Sequence, residues 1–132
     1  MKRRKNEDPA GRLCEVFFED LLPGYLDEMA LAGVTAEGTL QVTVICDRRR
    51  TWTVDLARRV VHRGGTPNAT ARLDCRADEL LLMIFGEISW EECVIHGCVG
   101  HHGNRAVTAG FFGLLAALPP VPVQRGDPTM IN

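Results

Sequence analysis

Apolar positions recur along this chain in two rhythms, helical and alternating, and the changes between them mark its elements. From Pro9, the residues Leu13, Val16, Phe17 and Leu21 fall at the spacings of one helix face. Pro23-Gly24 is expected to break that helix. A second short helical piece, with Tyr25, Leu26, Met29 and Ala30 as its apolar side, should end at Gly33. The period then drops to two. In the stretch from Thr39 to Cys46, Leu40, Val42, Val44 and Cys46 share one side while Gln41 and Thr43 take the other, which is strand alternation. A turn at Asp47-Arg48-Arg49-Arg50 leads to a second strand, Thr51 to Leu56, with Trp52, Val54 and Leu56 on one face. A third strand around Arg59 to Arg63 ends at Gly64-Gly65, and a Pro67-Asn68 turn feeds a fourth from Ala69 to Cys75. Four strands joined by short turns predict an antiparallel meander.

The remaining elements carry punctuation at nearly every joint. A helix from Ala77 to Phe85 has Asp78 and Glu79 in its first turn, where carboxylates meet the positive end of the helix dipole, and Gly86 at its end. Ser89 with Glu92 three positions on forms a capping-box pattern that opens a short helix ended by Gly97. A brief fifth strand, Cys98 to His102, and a Gly103-Asn104 turn precede the last helix, Ala106 to Leu118. That helix lines up Val107, Phe111, Leu114, Leu115 and Leu118, diluted by Gly110 and Gly113, each of which costs on the order of 1 kcal/mol relative to Ala. Pro119-Pro120 stop it. The predicted architecture is α/β, of the α+β kind: a five-stranded, mainly antiparallel sheet covered on one face by helices.

Size and charge narrow the picture further. A chain of 132 residues is one domain by length. Residues 1–8 read as a disordered basic tail, 9–118 as the single domain, and 119–132 as a Pro/Gly-rich tail. The net charge of −2 gives no global field for nucleic acid or an anionic membrane, and no apolar run approaches a bilayer span. Nucleic-acid binding and stable membrane insertion are therefore not expected. The three consecutive arginines lack the aromatic or Gly-rich company of a nucleic-acid platform. Five cysteines without regular spacing fit reduced thiols in the cytoplasm.

Candidate chemistry is concentrated near the fifth strand. Cys93, His96, Cys98, His101 and His102 lie within ten positions, but alternation sends Val99 and His101 one way and Cys98 and His102 the other. No zinc site closes from that spacing, so no metal is expected, and no cofactor. The chain has no Gly-x-Ser-x-Gly elbow, phosphate loop, dinucleotide fingerprint or paired-histidine helix, and the sequence assigns no catalytic residue beyond His101 as a tentative one. Asp55 and Asp74 fall on the side opposite the apolar stripe.

The succession Arg72-Leu73-Asp74-Cys75, Asp78 to Gly86, Ser89-Trp90-Glu91-Glu92 and Gly97 to Asn104 resembles the sterol carrier protein type 2 family, over roughly Gly38 to Leu118. Arg76 departs from it, standing where that family usually has a small hydroxyl residue. The resemblance implies a tunnel between sheet and helices that holds a sterol, fatty acid or acyl-CoA-like lipid without catalysis. It implies a lining of Trp52, Val54, Leu73, Met83, Phe85, Val99, His101, Phe111, Leu114 and Leu115, with His101 as a polar tip among apolar neighbours. Two alternatives stand beside that reading: a small enzyme or cyclisation catalyst with His101 as acid or base, and an interaction module with a filled core. Ligand identity, oligomeric state and the roles of His96, His102 and the cysteines stay open at this point.

Overall fold

The computed structural model describes residues 9–117. The two predicted tails and Leu118 lie outside the described residues. The elements are α1 (Pro9–Val16), a π-helical turn (Phe17–Leu21), α2 (Leu22–Leu31), β1 (Thr39–Ile45), β2 (Arg49–Asp55), β3 (Val60–Arg63), β4 (Ala71–Arg76), α3 (Ala77–Ile84), α4 (Trp90–Ile95), β5 (Gly100–Gly103) and α5 (Arg105–Ala117). Among the described residues no helix is long and apolar enough to cross a membrane.

The strands form one five-stranded sheet in the order β3-β2-β1-β4-β5, and only β1 with β4 is parallel. The four-strand meander is thereby corrected: β1, β2 and β3 follow it, but β4 crosses to the far side of β1. Its alternation is the same beside either neighbour, so side-chain pattern alone does not choose. The choice is made on the polar face of the sheet. Segment 64–70 crosses that face, where Thr53 Oγ1 donates to the Gly64 carbonyl at 2.7 Å and the Thr66 N–H donates to Gln41 Oε1 at 2.9 Å. Gly65 lies so close to Gln41 that an added Cβ would sit 2.8 Å from Oε1.

The opposite face is apolar and carries the helices. Leu40, Val42, Val44, Val54 and Leu73 are fully buried there, with Trp52, Leu56, Ala71 and Cys75 at 2% exposure or less. Each such aliphatic side chain contributes on the order of 1.5–3 kcal/mol by leaving water. Phe18, Leu22, Leu80, Phe111 and Thr108 close over them from the helix layer.

The N-terminal helices need two corrections. Pro23-Gly24 does not break them, because α1, the π-turn and α2 run on without interruption to Leu31. Pro23 sits in the first turn of α2, where a missing N–H is tolerated. The wide turn is closed by the Leu22 N–H donating to the Phe17 carbonyl, five residues back. That extra residue shifts the buried face, so Cys14, Phe17, Phe18, Leu22, Leu26 and Met29 point inward while Leu13 and Leu21 stay 53% and 45% exposed.

Later boundaries move little. Arg76 offers α3 no side-chain cap; its backbone N–H donates to Glu79 Oε1 at 3.4 Å, and Asp78 Oδ1 accepts from the Glu79 N–H at 2.9 Å. Ser89 Oγ accepts from the Glu91 and Glu92 N–H groups and so caps α4. Gly103, at φ +92°, passes against β4 so closely that a Cβ would meet the Thr70 carbonyl oxygen at 2.5 Å. Asn104 Oδ1 then receives the Ala106 N–H at 2.9 Å and starts α5 one residue earlier than predicted.

Candidate functional site

Strand register places Arg63, Trp52, Val42, Leu73 and His101 in one row across the helix-covered face, from the β3 edge to the β5 edge. The middle of the row is apolar and the two ends are polar. Each end is gripped by a different part of the helix layer.

At the β3 end the grip is ionic. Glu15 and Glu19 stand one helical turn apart, and both accept from Arg63, at 2.7 Å to Nη2 and 2.8 Å to Nε respectively. Arg50 adds a 3.1 Å hydrogen bond to Glu15, and the Trp52 indole N–H donates to Glu19 Oε2 at 2.9 Å. Phe18 stacks on the Trp52 ring at 4.8 Å between centroids. The bond to Arg63, with the charge of Arg50 adding to it, holds the Glu15 carboxyl below its usual range.

At the β5 end the grip among the described residues is one side-chain hydrogen bond, with ring packing beside it. His101 Nε2 lies 2.6 Å from Thr108 Oγ1 on α5. Thr108 is fully buried, whereas His101 is half-buried. Trp90, the first residue of α4, packs on the His101 ring at 5.3 Å and runs nearly parallel to Phe112 at 6.3 Å. The Arg105 guanidinium lies over the Trp90 ring at 5.1 Å. Burial pushes the His101 pKa below its ordinary value, and the positive charges of Arg105 and His102 push it the same way. These effects favour the neutral form of the ring, which sits at the rim of an apolar layer and pairs with a hydroxyl.

The residues singled out from the sequence separate into three groups. Val54, Leu73 and Phe111 have no exposed surface, and Trp52, Met83, Val99 and Leu114 have 5% or less. Side chains with no accessible surface border no space the size of a water. His101 and Leu115 are half-buried at the β5 side of the helix layer. Phe85, at the C-terminal cap of α3, is 60% exposed and stands apart from the others. A narrow cleft of about 20 Å³, room for about one water, lies between Leu114, Leu26, Leu56 and the segment 34–36.

Sequence reasoning missed Thr108, Trp90, Arg105 and Phe112 as members of one group. Thr108 carried a usable signal, since it falls three positions before Phe111 on the buried side of α5 and is a hydroxyl among hydrocarbons. The carboxylates of Glu15 and Glu19 carried another in their four-residue spacing. Among the described residues no group of three or more His, Cys, Asp or Glu is placed to hold a metal ion.

No family model matches the chain, and comparison with curated proteins finds no match. Solved structures do match. The sterol carrier protein 2 of Aedes aegypti, in complex with the C16 fatty acid palmitate, aligns with 74% of this chain and 90% of its own at 15% identity and a TM-score of 0.62. The UbiJ-SCP2 ubiquinone synthesis protein aligns with 82% of this chain and 97% of its own at 18% identity and a TM-score of 0.59. The stereoselective inverting sec-alkylsulfatase Pisa1 from Pseudomonas sp. aligns with 80% of this chain at 25% identity and a TM-score of 0.62, but with only 16% of that enzyme's length.

Proposed function

We propose that this domain, built on the sterol carrier protein 2 fold, binds a hydrophobic small molecule or lipid between the apolar face of its sheet and its helices, and carries it in the cytoplasm. The observation that carries the reading is the asymmetric row just described. A continuous apolar layer ends at the β5 edge in Trp90, Phe112 and Leu115, with His101, Thr108 and Arg105 beside them. A fatty acid, acyl-CoA-like lipid or sterol has the same division, a long apolar body and one polar end. Each methylene taken from water contributes roughly 0.8 kcal/mol, so the body supplies affinity, and the cationic and hydroxyl groups at the edge receive the head. The residues in the middle of that row are at 1% exposure or less, so a guest entering between sheet and helices requires the helix layer to move.

The test uses the full chain. Organic-solvent extraction followed by mass spectrometry should recover a lipid, and palmitate should displace a fluorescent fatty acid saturably at one site per chain. No extractable lipid together with no displacement refutes the reading and leaves an interaction module. If a bound candidate is turned over, and turnover stops in His101→Ala while affinity stays unchanged, the domain is an enzyme and the carrier reading is wrong.

A further inference from the structure

Helix α4 ends in a manner that brings two thiols together. The Cys98 N–H donates to the Cys93 carbonyl at 2.9 Å, the Gly97 N–H donates to the Val94 carbonyl at 3.1 Å, and Gly97 has φ +78°. These paired bonds around a left-handed glycine are the Schellman closure of a helix. In that closure the residue after the glycine folds back on the helical residue that accepts the outer bond, usually as a contact between two apolar side chains. Here both are cysteines. With the 2.9 Å bond fixed, standard backbone dimensions hold the two Cα atoms within about 6.8 Å, and disulfides bridge Cα atoms roughly 4.4–6.8 Å apart.

The partners differ in access. Cys98 is exposed and Cys93 is 7% exposed, and both are free thiols. Burial pushes the Cys93 thiol pKa up, and the neighbouring Cys98 sulfur adds to the effect. Cys14 and Cys75 are buried and out of reach of an oxidant in solution, and Cys46 lies on the β1–β2 turn.

We propose that Cys93 and Cys98 form a redox-responsive dithiol, closing reversibly to a disulfide across the end of α4 when a low-molecular-weight disulfide is the oxidant. The Cys98 thiolate attacks one sulfur of that disulfide, forms a mixed disulfide and releases the first thiolate. The Cys93 sulfur then attacks the Cys98 sulfur and expels the second thiolate, which takes the Cys93 proton. The small disulfide gains two electrons and two protons and leaves as two thiols; the protein loses the same. The bridge would tie the end of α4 to the residues leading into β5, between Trp90 and His101, so the thiol state of this turn bears on the edge of the candidate site.

Oxidised glutathione applied to the full chain tests this. Trypsin releases both cysteines on one peptide, Ala77 to Arg105. That peptide is expected to lose two hydrogens as both of its thiols disappear, and dithiothreitol should restore them. Cys93→Ala should stop at a glutathione adduct on Cys98, and in Cys98→Ser the Cys93 thiol on that peptide should stay free. Phenylarsine oxide, which requires two adjacent thiols, should bind the wild-type chain one to one and neither variant. The proposal is overturned if the wild-type chain stops at the Cys98 adduct, if the bridge joins two chains, or if Cys93 pairs with Cys75 on the separate peptide Leu73 to Arg76. The wild-type peptide map decides even where a variant does not fold.

Discussion

Thr108→Val removes one hydroxyl from a fully buried position and keeps the side chain's shape. It leaves His101 Nε2 without the partner that now lies 2.6 Å away. A net hydrogen bond contributes about 0.5–1.5 kcal/mol, and stranding a buried partner costs about 1–3 kcal/mol. His101 is only half-buried, so water reaches part of the ring and the lower end applies. The expected loss is about 1 kcal/mol, or roughly 5 °C in Tm for a domain of this size. His101→Leu alone strands the Thr108 hydroxyl and should cost a similar amount. The double variant strands nothing, so it should recover most of the loss, with a coupling of about 1 kcal/mol. Urea unfolding at neutral pH, followed by tryptophan fluorescence in all four proteins, measures this. If Thr108→Val is neutral, or the two losses simply add, the pair does not hold α5 to the sheet edge and the account of this end of the row is wrong.

Phe18→Ala should cost about 3–5 kcal/mol, because a fully buried ring is lost together with its stack on Trp52; a loss under about 1.5 kcal/mol in denaturant unfolding would show that the π-turn is not docked there. His101 is held below its ordinary pKa of 6.5, so the unfolded chain binds its proton first as pH falls. The stability from its neutral form is complete above pH 6.5 and is lost below it, and His101→Gln should flatten the dependence of Tm on pH there; equal slopes would refute the assignment. Glu15 is held below its ordinary 4.5, so its contribution is present above that value and fades in more acidic solution. Glu15→Gln should therefore remove part of the acid sensitivity in that lower window, and an unchanged acid profile would count against the ionic grip. Amide hydrogen exchange should find α5 protected less than β1 and β4; equal protection would show that α5 does not open independently of the sheet.

Strand content was legible because alternation is a local property. Leu40, Val42 and Val44 face inward whatever their neighbours are, and the capping residues Ser89 and Asn104 act within a few positions of themselves. Strand order was not legible. The Gln41 and Thr53 contacts that pin the crossing segment join residues up to 25 positions apart, and nothing in a polar residue on a strand names its partner. The π-turn escaped for a related reason: a five-residue hydrogen bond changes which face is buried without changing which residues are apolar. The two glycines of α5 differ in surroundings: a Cβ added at Gly110 would lie 3.4 Å from the Ala36 Cβ, whereas one at Gly113 would meet open space. For the candidate site, the resemblance placed Leu73 and His101 in one lining without their pairing across β4 and β5; the hydroxyl that completes the His101 contact comes from another element.

The two grips on the sheet are unequal, and the inequality gives the helix layer a direction of opening. At the β3 edge, single exposed ion pairs would each contribute only about 0–1 kcal/mol, but two carboxylates share Arg63, one of them also receives a buried indole N–H, and Phe18 stacks beside them. Lifting the α1 and π-turn segment together would break all of these at once. At the β5 edge α5 has, among the described residues, one side-chain hydrogen bond to the sheet, from a helix that contains two glycines, each less favourable than Ala by about 1 kcal/mol. Local opening follows the lower free energy; the polar contacts make α5 the weaker side while Val107, Phe111 and Leu114 add apolar burial to it, and the hydrogen-exchange comparison decides which segment opens first. A guest admitted on that side would break the His101–Thr108 bond first and meet a neutral imidazole and a hydroxyl newly in need of partners, while Arg105 supplies charge nearby. On the proposed function, the pair that fastens the closed helix would then be the pair freed to hold a polar head.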